Sequence, residues 1–156
     1  LGGKNMRKLI NKKKGFTLIE LLVVVAILGI LMLLAVPRFM DSTKGSKVRT
    51  FESNFRTLMS MANQYSANNN GVFTDISKSD VNKLAGQLKG KPDNATYTVS
   101  DTEVKAVLDL AASNVATTGK YELTYTYNDG NVGVVGADEL KKVNLKSSFV
   151  ADKSTP

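Results

Sequence analysis

From Leu21 to Val36 the chain carries only apolar residues and Gly29, and Phe16 to Ile19 extend the run backward past Thr17 and Glu20. As a helix with about 1.5 Å of rise per residue, Phe16 to Val36 covers about 31 Å, which matches the ~30 Å hydrocarbon layer of a bilayer. The β-branched cluster Val23, Val24 and Val25 suits a buried strand, but the length of the run decides for a membrane-crossing helix.

Beyond Pro37, apolar residues recur at Val48, Phe51, Phe55, Leu58, Ala62 and Tyr65, alternating threes and fours that mark one face of a helix. The spacing predicts one helix from Phe16 to about Ala67, stopped by Asn68, Asn69, Asn70 and Gly71. Pro37, without an amide hydrogen, is expected to kink or loosen it, with Gly29 a second weak point. With 156 residues, the chain has room for one head and one anchor.

The rest reads as a small α+β head with an antiparallel sheet. Val81, Leu84, Ala85 and Leu88 predict a short helix capped by Ser77 or Ser79 and stopped at Gly90. Tyr97 and Val99 begin a strand, Val104 to Leu110 is open between strand and helix, and Tyr121 to Tyr127 alternates. Asn128-Asp129-Gly130 predicts a hairpin turn into Val132 to Val135, and Val143 to Val150 is read as a last strand.

The net charge of +7 is local rather than general. Six of the 21 Lys and Arg precede Phe16, while all 14 Asp and Glu follow it, so the balance from Phe16 onward is +1. A general nucleic-acid surface is therefore unsupported. Arg38, Lys44, Lys47 and Arg49 form a second basic group, read as a solvated face rather than a binding track; the stronger leader favours a cytoplasmic N-terminus and an external head. Without Cys or His, thiol nucleophiles, disulfides, histidine bases and most zinc sites are excluded, and no spacing selects a catalytic carboxylate; the expectation is no enzyme, no cofactor and no metal. Asp129, Asn131, Asp138 and Glu139 offer oxygen ligands, but the turn explains them better than calcium.

The junction Lys12-Lys13-Lys14-Gly15-Phe16-Thr17-Leu18-Ile19-Glu20 reverses the order of a secretory signal, since the apolar run follows the small residue. A cut at Gly15 leaves the run on the mature chain. Glu20 within an apolar helix costs a few kcal/mol near the bilayer centre and calls for a partner, and the sequence shows none nearby in the membrane. A new amine at Phe16, with a reference pKa of roughly 7.7 to 8.0, would supply one.

These residues resemble the processing signal of type IV prepilins and pseudopilins, best over Gly15 to Pro37 and more loosely to about Ala67. The resemblance implies cleavage between Gly15 and Phe16 by a prepilin peptidase, methylation of Phe16, and assembly into a filament of copies by a platform and ATPase. It also implies Glu20 pairing with a neighbour's Phe16, and bending or melting between Gly29 and Pro37. The domain reading is a leader at 1–15, a membrane and filament-core helix at 16–37, its amphipathic continuation at 38–68, and a head at 69–156. The precursor is placed in the cytoplasmic membrane and the mature form in an extracellular pilus. The alternatives are a pseudopilin of a secretion or DNA-uptake system and a single-pass anchored binding protein. Absence of a C-terminal Cys pair departs from many Gram-negative pilins and leaves open how the head is closed.

Overall fold

The computed structural model describes residues 15–88 and 90–150. The architecture is α+β: a long N-terminal helix and a four-stranded antiparallel sheet. The chain divides into two compact units, Leu1–Phe39 and Met40–Pro156, and helix α1 (Leu18–Asn68) contributes to both.

In the first unit every described side chain is exposed, including Leu18 at 81% and Leu33 at 77%. The apolar window of α1 has a mean hydropathy of 3.0 and buries none of its residues within the chain. Burial of one such side chain is worth about 1.5–3 kcal/mol. Leaving this many in water would outweigh the roughly 5–15 kcal/mol that keeps an ordinary domain folded. This unit therefore needs lipid or protein around it. A helix satisfies its backbone inside the segment, which is why the valine cluster remains helical here.

In the second unit, α1 buries Gly45, Val48, Phe51, Glu52, Phe55, Leu58, Ala62 and Ser66 along one face. The helix ends as Asn70 and Gly71 take left-handed backbones and the Gly71 amide donates to Ser66 O at 2.8 Å. A 3-10 turn at Ile76–Lys78 leads into α2 (Asp80–Gln87), whose N-cap is Ser79, its side chain accepting from the Val81 amide at 3.2 Å.

Strands β1 (Ala95–Val99), β2 (Glu103–Asp109), β3 (Lys120–Thr126) and β4 (Val132–Val135) form a meander in that order, so β4 is an edge. The open segment at Val104 to Leu110 resolves as strand through Asp109. Period-two alternation sends Val104, Ala106 and Leu108 inward opposite Tyr125, Leu123 and Tyr121. Phe51 of α1 stands against Tyr97 and Tyr121, with ring centroids 5.6 and 5.5 Å away. Gly130 closes the hairpin, its amide donating to Thr126 O at 3.0 Å.

Two expectations fail at the C-terminal end. A short helix α3 (Ala137–Lys141) follows β4, where none was predicted. It starts at Gly136, whose φ is +80° and where an added Cβ would lie 1.9 Å from Lys120 O, so only glycine fits. Residues 143–150 are not a strand. Their alternation is real, with Val143, Leu145, Ser147 and Phe149 partly buried, but the segment lies against α1 and joins no ladder.

Candidate functional site

Gly15, Phe16 and Thr17 precede the first residue of α1, and Thr17 opens the helix. Its hydroxyl accepts from the Glu20 amide at 3.3 Å, while Glu20 Oε2 accepts from the Thr17 amide at 2.9 Å and from Thr17 Oγ1 at 2.8 Å. This is a reciprocal capping box, in which residues three apart satisfy each other's free helix-end donors. A carboxylate in the first turn also complements the positive end of the helix dipole.

The absence of a nearby partner for Glu20 is thus corrected: Thr17 supplies two donors. The missed signal is Thr-x-x-Glu directly before an apolar run. Both donors are neutral, so the negative charge itself is not compensated. Phe16, Ile19, Glu20, Val23 and Val24 line an open notch of about 330 Å³, placing the carboxylate on an otherwise apolar surface.

A Cβ added at Gly15 would meet nothing within 4 Å among the described residues, and the same holds for Gly29. Neither glycine is required by packing among the described residues. Pro37 lies within α1 and leaves one helical acceptor without its usual donor. Lys12, Lys13 and Lys14 lie outside the described residues.

The second basic group does not form a continuous track. Lys44 stands 3.7 Å from Asp41, and Lys47 donates to Ser113 O at 2.7 Å. The oxygen ligands of the calcium reading go separate ways. Asp129 accepts from the Asn131 amide at 3.1 Å, Asp138 pairs with Lys141 at 2.9 Å, and Glu139 pairs with Lys142 at 2.6 Å. Donation from Asn131 holds the Asp129 carboxyl below its ordinary value, and donation from Lys141 does the same for Asp138.

The prokaryotic N-terminal methylation motif matches residues 10–36, which include the junction and the exposed apolar helix. The type IV major alpha-pilin of Moraxella bovis is 28% identical over 134 residues, covering 86% of this chain and 73% of that protein. The type IV major pilin protein PilE1 of Neisseria gonorrhoeae is 35% identical over 79 residues, or 51% of this chain and 36% of that protein. The type IV narrow pilus major component PilA5 of Thermus thermophilus is 62% identical over 32 residues, 20% of this chain and 28% of that protein. The chain thus spans about a third of the length of the latter two relatives. The motif and these relatives together support a place in the type IV pilin family.

Proposed function

We propose that this protein is a structural, non-catalytic subunit of a type IV pilus, inserted in a membrane by its apolar helix, matured at its N-terminal junction, and assembled with copies of itself. The supporting observation is a helix whose apolar residues up to Phe39 are all exposed among the described residues, joined to a capped carboxylate at the methylation motif. Neighbouring helices would replace lipid without exposing the apolar surface to water, and close fit rather than a hydrophobic gain would hold them together.

A peptidase cut between Gly15 and Phe16 spares the capping box, because its donors, the Thr17 amide and hydroxyl, lie beyond the cut. It creates an ammonium at Phe16 close in sequence to the uncompensated charge of Glu20. Methylation keeps that ammonium charged, and an adjacent copy's Glu20 is its proposed partner in setting register. Gly29 and Pro37 are the proposed points of bending during transfer from membrane to filament. A prepilin peptidase and methyltransferase, an assembly platform and an ATPase are the proposed partners, with the head external.

Mass spectrometry of filaments sheared from cells tests this reading. The expected subunit begins at a methylated Phe16; a subunit that keeps residues before Phe16 and stays unassembled in the membrane would refute it.

A further inference from the structure

Glu52 is the buried carboxylate of α1, 4% exposed, and its donors come from far along the chain. Tyr121 Oη donates to Oε1 at 2.6 Å. The Ser148 amide lies 3.1 Å from Oε1 and 3.3 Å from Oε2, and Ser148 Oγ donates to Oε2 as well. Around this point the residues after α3 follow the helix turn by turn. Leu145 Cδ2 would lie 3.5 Å from a Cβ at Gly45, Phe149 meets Phe55 edge to face at 5.4 Å, and the Arg56 guanidinium sits 4.1 Å over the Phe149 ring. Arg56 also donates to Ser148 Oγ at 2.9 Å.

Residues 147–150 make no backbone-to-backbone hydrogen bond among the described residues, in contrast to each strand of the sheet. Their main chain is held instead by side chains: Glu52 takes the Ser148 amide and Ser147 Oγ takes the Phe149 amide at 3.1 Å. A cleft of about 260 Å³ remains between Val48 and Arg49 of the helix and Asn144 to Lys146, so packing is incomplete at one end.

We propose that residues 145–149 form a latched strap that opens and closes on α1 while the sheet stays folded, with the Glu52 carboxylate as the latch. A charge buried in protein must keep its donors or return to water. Glu52 has both states within reach: closed, it is satisfied by Tyr121 and Ser148; with the strap lifted, it is hydrated. An apolar residue there would have no hydrated alternative, and a strand would tie the segment to the sheet's own unfolding. Low-stability units of this kind are recognised by few backbone hydrogen bonds and sparse packing.

Hydrogen exchange of the full chain in detergent micelles, read by mass spectrometry, tests the latch. In the unsubstituted protein the amides of 147–149 should exchange ahead of those of β2 and β3. Glu52→Gln retains the shape but removes the charge and one of the two acceptor oxygens that Tyr121 and Ser148 share, and should speed exchange at 147–149 by about tenfold or more while β2 and β3 keep their rates. Strap and sheet accelerating equally, or no change at 147–149, would overturn the proposal. Should Glu52→Gln fail to fold, Ser148→Ala carries the same reading: selective acceleration supports the latch, and equal or absent acceleration defeats it.

Discussion

The two halves of α1 solve opposite problems with similar residues. From Leu18 to Phe39 large apolar side chains face outward all round the helix, and none is buried. From Gly45 onward they collapse into one stripe, where Phe51, Phe55, Leu58 and Ala62 have no exposed surface while Ser53, Arg56, Thr57, Ser60, Asn63 and Gln64 face outward. The difference shows that the helix is not one amphipathic element. Its outer half is completed by the sheet of its own chain, while its inner half is left to be completed by lipid or by other copies.

That contrast sets the predictions. The largest effect is expected at the junction. Gly15→Leu should abolish maturation and leave unprocessed chain in the membrane, while circular dichroism of the head stays unchanged, since no neighbour among the described residues constrains Gly15. Normal N-terminal processing, read by mass spectrometry, would remove the site assignment. Glu20→Ala should insert normally yet lower filament yield by about tenfold or more, because an apolar side chain cannot pair with a neighbour's ammonium. Yield equal to that of the unsubstituted protein, measured by shearing and electron microscopy, would detach assembly from this carboxylate.

A paired substitution sharpens the comparison further. Phe51→Ala should destabilise the head by about 3–5 kcal/mol through loss of its contacts with Tyr97 and Tyr121. Leu28→Ala, in the other half, should leave the melting temperature of the head unchanged, because Leu28 is 48% exposed and touches no core. Equal losses in denaturation would mean the halves are not energetically separate.

The smallest effect concerns alkaline pH. Burial pushes the Tyr97 hydroxyl up to about 12, and burial followed by the Glu52 hydrogen bond raises Tyr121 as well. Both are ordinarily near 10 when unfolded. The neutral phenols therefore contribute stability that is fully present below about pH 10 and falls as pH rises toward 12. Urea midpoints should decline over that window, and Tyr97→Phe should flatten the decline.

Local patterns made much of this legible. The length of the apolar run, the stripe from Val48 to Ala62 and the alternation at Tyr121 to Tyr125 each repeat at a period that fixes the element and its buried face. The failures occur where the determining contact is distant. Glu52 reads as an ordinary charge beyond the apolar run, because its donors Tyr121 and Ser148 lie 69 and 96 residues away. Alternation at 143–150 marks alternate burial correctly, yet nothing local says whether a strand or a helix will cover it. The Thr17 to Glu20 box, by contrast, is a local pattern, since Thr-x-x-Glu directly ahead of an apolar run is itself a helix-start signal.

Of the two outer strands of the sheet, β1 and β4, the second is the shorter. β4 is four residues long, includes Gly133, and turns directly into α3 through the glycine-only corner at Gly136. Wherever many copies are crowded together, unpaired backbone along such a rim invites neighbouring sheets to fuse into disordered aggregate. So brief a rim offers few rungs for such fusion.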